Sequence, residues 1–567
     1  MEGQMTDPEA GTREDAVEPI SAVASVVAAA GVRGRALRAV IALLTERSRR
    51  LDDLVRECAV PRRSVEALLR AAGSDLGGTA SEGVMLNDAV VPSYRERFGY
   101  DQLRRTAPAD PFHAPLAAQR ALTERLAGLI AAAPAANEAL DHVSATAETA
   151  TRRAMWLDAT YDLAGAHLVC VGDHDLTSLA VSAISPECRV SVVDIDERLL
   201  DYIAAQAAEA GAAVECWYAD LRFGLPPVLA GSADLVFTDP PYTPEGVSLF
   251  LGRGAQALRD RSNGRLVMAY GFSPLSPALG VKVQRAVHDL DLAVEAILPG
   301  FNRYDGAQAV GSASDLYVCQ PTSRTWQVLD KRLARAVVNI YTHGGQSLEG
   351  QTADLPESVI EAVLAAVGDG TEPTLFVGDG WPQAAQRGQR LTLPDLLSGA
   401  PPAPAPRNQR TAAVVNLADD PGPWLLRTLL AVNADRMAIL LPNQHADLGS
   451  ASGQSTLRAL VESKYTLRLR RSTPTPRHAI VEATATTGDG AVRWLLTHAH
   501  GKVGNVLREG LVRDSARDGQ PPMTKNEARA KARQLVAHQA WLDARLLDLP
   551  RGAVQSLLLA LTTETKP

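Results

Sequence analysis

Two carboxylates and an imidazole stand directly after an apolar segment, where a chain usually places small turn residues. The run "LVCVG" ends at Gly172 and is followed by Asp173, His174 and Asp175. Carboxylates at such a turn repel a pyrophosphate, so NAD and ATP are poor candidate ligands. They attract cations instead, and the turn therefore predicts a positively charged ligand.

Three further apolar segments end in acids. Asp194 and Asp196 close "VVDID", Asp220 closes "WYAD", and Asp239 opens "DPPY". Asp194 lies about 20 residues after Gly172, the separation typical of an acid that binds ribose hydroxyls. Any one of these acids could simply cap a helix. At four successive segment ends they favour a sulfonium nucleoside, S-adenosylmethionine or its decarboxylated form, with Asp220 near the adenine amino group.

The motif "DPPY" at 239–242 indicates chemistry at an amine nitrogen. In amine-modifying enzymes built on a sheet of this kind, the Asp carboxylate and the first Pro carbonyl of the motif accept hydrogen bonds from an amino group, so Asp239 and Pro240 are expected to aim the nitrogen lone pair at an electrophile. The ring of Tyr242 could face the sulfonium or the amine. The alternative interpretation is a Pro-rich turn after a strand.

Charge is unevenly distributed along the chain. Residues 168–252 contain eight Asp and five Glu but three Arg and no Lys, a net charge of −10, whereas the whole chain carries −8. A concave site with this excess concentrates cations and rejects a nucleic acid backbone. Some of these acids would lie on solvated faces. We expect a small cationic amine as the substrate and no nucleic acid partner.

The elements that must hold these residues alternate from residue 166 onward. Apolar segments separated by amphipathic ones predict an α/β fold with a doubly wound, Rossmann-like sheet of the class I methyltransferase type, in which ligands bind at the carboxyl ends of the strands. We expect a closing antiparallel pair at "LAVEAILPGFNRY" and "SDLYVCQP". The predicted parallel strands are "AHLVCVG", "RVSVVDID", "AVECWYAD", "ADLVFTDPPY" and "GRLVMAYG".

A chain of 567 residues is long enough for several domains. Two short helices around the turn at Val60-Pro61, with Arg62 and Arg63 opening the second, suggest a winged-helix outline. Such a module serves DNA binding or packing and dimerisation, and the acidic net charge favours the second. We predict a disordered leader (1–25), a winged-helix-like domain (26–95), a helical connector (96–165), the Rossmann-like catalytic domain (166–330) and a C-terminal α/β domain of unknown role (331–567).

Part of the C-terminal segment repeats the pattern of the catalytic domain. "EPTLFVGDGW", "AAVVNLADDPGPW" and "DRMAILLPN" are similar to "AHLVCVGDHD", "ADLVFTDPPY" and "GRLVMAYG" in the same order. This similarity predicts a degenerate internal copy that lacks most of the second strand and its acid, and is therefore not catalytic. The other interpretation is an α/β domain without that relationship.

Composition favours a reducing, aqueous compartment. No apolar run approaches the ~18 residues needed to span a bilayer, and the acidic start lacks the apolar region of a secretion signal. Five cysteines are scattered without a C-x-x-C pair, which suits reduced thiols and neither a disulfide framework nor a zinc site. We expect a cytoplasmic protein without a membrane partner or a bound metal.

As a set, these motifs resemble the branched-chain polyamine synthases, also called N4-bis(aminopropyl)spermidine synthases. The hallmark of that family is a Gly-Asp-Asp-Asp turn followed by Leu-Thr-Ser, and this chain has "GDHDLTS". The resemblance covers roughly residues 30–330 and leaves the C-terminal remainder outside. Further similar blocks are "YDQ", "VVDIDERLLDYI", "DLRFGLP", "TDPPYTPEG", "LFLGRG" and "FNRY".

The resemblance implies transfer of an aminopropyl group from decarboxylated S-adenosylmethionine to a polyamine nitrogen, with methylthioadenosine as the leaving group. We also expect a homodimer. The expected catalytic residues are a base, Asp173 or Asp175 with His174 as the alternative, and Asp239 to orient the amine. The residues expected to bind the nucleoside are Gly172, Asp194, Asp196, Asp220 and Pro240. Those expected to bind the amine are Tyr242, Glu245 and Tyr304.

One position departs from the family pattern, because His174 stands where the family has its middle aspartate. Loss of a carboxylate weakens the attraction for a multivalent cation. It could also admit a carboxylate, such as that of intact S-adenosylmethionine or of an amino-acid substrate. Two other functions stay open: an S-adenosylmethionine-dependent methyltransferase acting on an amino group, and a non-catalytic winged-helix regulator that senses a polyamine or nucleoside.

Overall fold

The computed structural model describes residues 18–105, 110–333, 339–341, 355–368, 372–381, 388–399, 402, 411–516 and 522–564. The chain divides into two compact units. The N-terminal unit comprises Met1–Ala117, Gly271–Pro277 and Pro299–Asp315. The larger unit comprises Ala118–Tyr270, Ala278–Leu298 and Leu316–Pro567.

Short helices and a hairpin make up the N-terminal unit. They are α1 (Pro19–Ala29), α2 (Gly34–Leu44), α3 (Leu51–Cys58), α4 (Arg62–Ala72), β1 (Leu76–Thr79), β2 (Gly83–Leu86), α5 (Val91–Phe98), α6 (Tyr100–Arg105) and α7 (His113–Ala118). Helix α2 buries Leu37, Val40, Ile41 and Leu44, the apolar spacing that its sequence predicts. Helices α3 and α4 flank the predicted turn at Val60-Pro61, and β1 pairs antiparallel with β2.

The first helix corrects the boundary of the expected leader. Helix α1 begins at Pro19, and Val23 is fully buried in the core of the N-terminal unit. Proline suits the first helical position because its fixed φ matches the helix and its missing N–H would be unpaired there anyway. Residues 19–25 are therefore helical, whereas residues 1–17 of the expected leader lie outside the described residues.

The catalytic segment follows the predicted alternation of strand and helix. Its elements are α8 (Arg120–Ala132), α9 (Ala147–Thr160), β3 (His167–Val171), α10 (Thr177–Ile184), β4 (Arg189–Asp194), α11 (Glu197–Ala210), β5 (Val214–Tyr218), β6 (Leu235–Thr238), α12 (Pro244–Ala257), β7 (Arg265–Tyr270), α13 (Pro277–Asp289), β8 (Leu292–Arg303), β9 (Ala313–Pro321) and α14 (Thr325–Leu333). The strands form one sheet in the order β5-β4-β3-β6-β7-β9-β8. The pairs from β5 to β7 are parallel, as predicted.

A second sheet lies in the C-terminal segment. The elements there are α15 (Glu357–Ala366), β10 (Leu375–Val377), β11 (Gln389–Leu391), α16 (Leu393–Ser398), β12 (Ala412–Asn416), α17 (Trp424–Ala431), β13 (Arg436–Pro442), α18 (Ala446–Gly449), α19 (Ala451–Val461), β14 (Tyr465–Arg470), β15 (His478–Ala485), α20 (Ala491–Thr497), α21 (Val503–Ser515), α22 (Lys525–Leu535) and α23 (Arg551–Glu564). Its order is β11-β10-β12-β13-β15-β14. The first four strands pair in parallel, and β15 pairs antiparallel with β13 and β14.

Candidate functional site

The carboxyl ends of β3, β4, β5 and β6 meet at one edge of the first sheet. Val171 pairs with Val193 on one side and with Thr238 on the other, and Asp194 pairs with Tyr218. The strands therefore end at the same level, because parallel neighbours in register share their direction. This edge collects the acids that the sequence singles out.

Gly172 and Asp173 form the start of the acidic turn. Gly172 has φ +73°, and a Cβ there would lie 3.3 Å from Phe250 Cε1, so glycine suits both the conformation and the space. Asp173 is buried, and its Oδ2 accepts a hydrogen bond from the Ser178 amide at 3.1 Å. Among the described residues, its Oδ1 has no hydrogen-bond partner. Burial, helped by the nearby charge of Asp175, raises the pKa of Asp173 to about 7.

Asp175 has the opposite electrostatic environment. One carboxylate oxygen accepts a hydrogen bond from the Ala145 amide at 2.6 Å, and the other lies 2.6 Å from Nη1 of Arg153. Burial alone would raise the pKa of Asp175, but the Arg153 guanidinium and the Ala145 amide outweigh it and lower the pKa. Asp175 is thus a fixed carboxylate, while Asp173 is a carboxyl group that can exchange a proton near neutral pH.

His174 stacks on a histidine that the sequence did not point to. The ring centroids of His142 and His174 are 4.6 Å apart with 20° between the planes, and Nε2 of His174 lies 3.1 Å from Oγ of Ser144. Burial lowers the pKa of both imidazoles, and for His174 the neighbouring His142 lowers it further. His142 belongs to no motif, and only the folding of the segment before α9 brings it beside the acidic turn.

The expected crevice of negative side chains contains a cation of the protein itself, Arg153. Its Nη2 lies 2.7 Å from Oδ2 of Asp239, so one fully buried guanidinium holds both Asp175 and Asp239. Asp196 and Asp220 are likewise paired, with Arg198 and Arg222 respectively. Sequence counting missed this because Arg153 lies upstream of the acid-rich stretch, and because a count does not show which charges meet. No local pattern marks Arg153 as a partner.

Asp194 and Asp196, at the end of β4, accept hydrogen bonds from different groups. Asp194 Oδ1 accepts a hydrogen bond from the Asp196 amide at 2.8 Å, and its Oδ2 from the Asp173 amide at 3.4 Å. Burial raises the pKa of Asp194 to about 6. Asp196 instead caps α11 by accepting from the Arg198 amide at 3.1 Å, so the helix-cap alternative applies to Asp196. Burial opposes ionisation of Asp196, yet the Arg198 guanidinium lowers its pKa overall.

The "DPPY" motif leads from β6 into α12. Pro240 is buried, and the Tyr242 ring lies edge-on to Tyr270 with 5.2 Å between centroids. Thr243 caps α12 by accepting from the Gly246 amide at 2.9 Å, and its hydroxyl donates to the Ile340 carbonyl at 2.7 Å. The Ile340 bond links the motif to a segment beyond the expected catalytic domain.

The remaining predicted amine-binding residues are Glu245 and Tyr304. Glu245 stands in the first turn of α12, and within the described ranges its buried Oε2 has no hydrogen-bond partner. Tyr304 belongs to the N-terminal unit, where it is buried and its hydroxyl lies 2.8 Å from Oγ of Ser314. A role for Tyr304 beside the acidic turn stays a prediction.

The larger unit therefore has a mixed α/β fold. Buried acids lie where the carboxyl ends of the parallel strands of its first sheet meet. Within this site Asp173 and Asp194 have raised pKa values, and the described residues provide neither with an ion-pair partner. Such a pair of carboxyl groups can accept a proton or bind hydroxyl groups. The described residues contain no cluster of three or more His, Cys, Asp or Glu arranged to ligate a metal. No described helix has the length and apolar character required to cross a bilayer.

Known proteins match the segment that carries the site. Residues 121–347 match the model of the branched-chain polyamine synthase A C-terminal domain. An uncharacterized protein of Methanocaldococcus jannaschii is 34% identical over 181 residues, which cover 32% of this chain and 45% of the relative. The N(4)-bis(aminopropyl)spermidine synthase of Thermococcus kodakarensis is 34% identical over 168 residues, covering 29% of this chain and 47% of the relative.

The chain is also similar to a solved structure. The branched-chain polyamine synthase of Thermus thermophilus, in complex with N4-aminopropylspermidine and 5′-methylthioadenosine, is 21% identical, with a TM-score of 0.39. The match covers 58% of this chain and 97% of that one.

Through residues 121–347, the chain is thus similar to the branched-chain polyamine synthases. It spans about half the length of the first three curated relatives it matches. The family match begins well after residue 30, where the sequence resemblance was expected to start, and it includes the acidic turn and "DPPY". The chain beyond residue 347 lies outside it.

Proposed function

We propose that this chain is an aminopropyltransferase-like enzyme. It transfers an alkyl group from decarboxylated S-adenosylmethionine, or from S-adenosylmethionine itself, to an amine nitrogen of a polyamine or related cation. The match of residues 121–347 to the family model supports this proposal, as do the relatives named N(4)-bis(aminopropyl)spermidine synthase. The observation that carries it is the buried Asp173, which combines an unpartnered Oδ1 among the described residues with a pKa of about 7.

The proposed reaction is a one-step displacement. The amine nitrogen attacks the methylene carbon next to the sulfonium, the new C–N bond forms, the C–S bond breaks, and neutral methylthioadenosine leaves. An amine with a pKa near 10 is protonated in neutral water and must lose a proton to react. A positioned base contributes roughly 10²–10⁴-fold to such a reaction.

We assign the base to Asp173 in preference to Asp175 and His174. Asp175 is already bound to Arg153 and to the Ala145 amide, and its pKa is lowered, so it is a weak proton acceptor. His174 has a lowered pKa and contacts Ser144. Asp173 therefore accepts the proton in this proposal, and the final proton acceptor is water.

The other residues bind and orient the two substrates. Asp194 binds the ribose hydroxyls, and Gly172 leaves room for the nucleoside to approach the backbone. Asp239 and the Pro240 carbonyl orient the amine, with Tyr242 and Glu245 along its path. The ionised state of Asp239 is favoured by Arg153, which lies 2.7 Å from one of its oxygens. Tyr304 is kept as an amine-binding residue and Asp196 as a nucleoside-binding residue.

Finer features of the fold belong to the same proposal. The first sheet is Rossmann-like, of the class I methyltransferase type, and α2–α4 with the β1–β2 hairpin form a winged-helix-like module used for packing. Arg62 supports the packing role, because its guanidinium pairs with Glu66 at 2.8 Å and with Asp52 at 3.2 Å. The proposed domains have the boundaries predicted from the sequence, except that the leader ends before α1, which begins at Pro19.

We also propose that the C-terminal sheet is a degenerate copy of the first. The order β11-β10-β12-β13-β15-β14 follows the order β4-β3-β6-β7-β9-β8, position by position. The strand β11 has three residues, which fits the predicted loss of the second strand and its acid. The strand without a counterpart is β5. The five free cysteines suit the cytoplasm that we propose as the location. We also propose a homodimer as the assembly.

Product analysis tests the proposed function directly. Purified full-length protein is incubated with each of the two nucleoside co-substrates and a panel of mono-, di- and polyamines, and the products are identified by mass spectrometry. We expect an aminopropyl or aminocarboxypropyl product together with methylthioadenosine. Methyl transfer with release of S-adenosylhomocysteine would contradict the proposal. The Asp239→Asn variant is the control, and we expect it to lose turnover while retaining nucleoside binding.

A further inference from the structure

The carboxylate of Asp220 is saturated with hydrogen-bond donors. Its Oδ1 accepts from N and Nε of Arg222, at 3.1 and 2.8 Å. Its Oδ2 accepts from Nη2 of Arg222 at 2.5 Å and from Nε1 of Trp424 at 3.1 Å. A carboxylate offers about four lone-pair positions. A nucleoside amino group can therefore bond to Asp220 only if one of these donors leaves.

Trp424 is the donor that leaves most easily. Two of the bonds from Arg222 come from its guanidinium, and hydrogen bonds between two charged groups are roughly twice as strong as neutral ones. Arg222 also lies two residues from Asp220, so all three of its bonds are local. The Trp424 bond is a single one to a neutral indole, which comes from α17 and is separated from Asp220 by 204 positions in the chain.

The Trp424 indole has the shape and polarity of the group that would replace it. It is a flat ring with an N–H directed at the carboxylate. The ring of Phe223 lies 5.2 Å from it, and the guanidinium of Arg222 lies 5.3 Å from its centroid. Nucleic acid bases also pack against aromatic rings and guanidinium planes. An adenine ring can thus use the surroundings that now hold the indole.

Other contacts keep the C-terminal segment at this edge when the indole bond is lost. Nη2 of Arg427 lies 2.6 Å from Oε1 of Glu197, at the start of α11. The amide of Gly552 donates to Oδ1 of Asp201 on the same helix, at 3.1 Å. Removing the one hydrogen bond of Trp424 therefore changes the donors at Asp220 without releasing the segment from α11.

We propose that Trp424 determines the nucleoside affinity of this enzyme by competing with the amino group of an adenine nucleoside for Asp220. The inference rests on the proposed function, because it takes Asp220 to face the nucleoside. It assigns a role in substrate recognition to the part of the chain that lies beyond the family match.

Binding of two nucleosides to the full-length protein tests the proposal. The probes are 5′-methylthioadenosine and 5′-methylthioinosine, which has a carbonyl oxygen in place of the amino group. The variant is Trp424→Phe, which keeps a ring and removes the N–H. The matched control is Trp381→Phe, since Nε1 of the buried Trp381 donates to the Val377 carbonyl at 2.9 Å, away from Asp220. Dissociation constants are measured by isothermal titration calorimetry.

We expect Trp424→Phe to bind methylthioadenosine about fivefold more tightly, the effect of one neutral hydrogen bond. Its affinity for methylthioinosine, and both affinities of Trp381→Phe, stay at the wild-type values. A Trp424→Phe protein with unchanged or weaker methylthioadenosine binding overturns the inference but leaves the proposed function standing. If neither wild type nor variant binds either nucleoside, both proposals fail.

A second measurement uses the unaltered chain, in case Trp424→Phe folds poorly. Nitrogen-15 labelling of the indoles gives one N–H signal for each tryptophan. Addition of methylthioadenosine should shift the N–H signal of Trp424, because its indole leaves the Asp220 carboxylate. Addition of methylthioinosine should leave that signal unchanged. Identical spectra with and without saturating methylthioadenosine overturn the inference.

Discussion

The guanidinium of Arg153 joins the acidic turn to the "DPPY" motif, with Nη1 2.6 Å from Asp175 and Nη2 2.7 Å from Asp239. The side chain of Arg153 is fully buried and its Cζ lies 4.9 Å from the ring centroid of Phe237. The pair of acids that would otherwise repel each other is thus held by a cation of the protein itself. This contact fixes two expected catalytic residues relative to each other.

Substitution of Arg153 by glutamine should strongly destabilise the protein. It leaves Asp175 and part-buried Asp239 without their cation, and breaking a buried ion pair costs about 3–5 kcal/mol in free energy of unfolding. Arg153→Lys should lose less, because the charge is retained while the two-pronged geometry is lost. Chemical denaturation measures both. Arg120→Gln is the control, since the Arg120–Glu124 pair on α8 is exposed and its loss should cause no measurable change.

Activity should depend on the ionisation of Asp173. The raised pKa of about 7 means that the carboxylate needed as a base disappears as the pH falls through that value. We expect kcat/KM for the amine to drop below about pH 7, and Asp173→Asn to lower kcat roughly 10²–10⁴-fold with little change in nucleoside binding. The pH–rate profile and calorimetric titration with methylthioadenosine check this. A profile that is flat between pH 6 and 8 would contradict the assignment of the base.

The same carboxyl group should weaken the fold at high pH. Its pKa is raised from 3.8 to about 7 by burial, so the folded state holds a proton that the unfolded state releases. The free energy of unfolding therefore falls as the pH rises between these two values. Asp173→Asn removes this loss, and we expect it to be more stable than wild type at pH 8 by on the order of 4 kcal/mol. At pH 4 the two proteins should unfold alike in urea.

Replacing His174 by aspartate should favour a more highly charged amine. The change restores the family's acidic turn and adds a negative charge beside Asp173 and Asp175. We expect kcat/KM for spermidine to rise about tenfold, equivalent to roughly 1.4 kcal/mol of extra attraction. His174→Asn removes the stack on His142 without adding charge, so it should bring no gain. An equal effect of the two substitutions on spermidine turnover would show that charge is not the cause.

Local pattern was enough to predict the parallel strands of the first sheet and the edge at which the acids meet. The alternation of apolar segments with helices gave β3 to β7, and the register of the parallel strands follows from their direction. Gly172 and the acids after it mark a strand end because the chain must turn there. The end of the predicted leader was misplaced because helix α1 is stabilised by the packing of Val23 into the core of the N-terminal unit, and local helix propensity does not reveal such a tertiary contact.

The amino-acid sequence by itself determined which acids stand at the strand ends, because that depends on neighbours in the chain. Only the tertiary structure decided which of them keep a free carboxylate oxygen. Arg153, His142 and Trp424 reach the site from α9, from the segment before it and from α17. Their arrival depends on long-range packing, and a buried charge is neutralised by whichever partner the fold brings within hydrogen-bond distance.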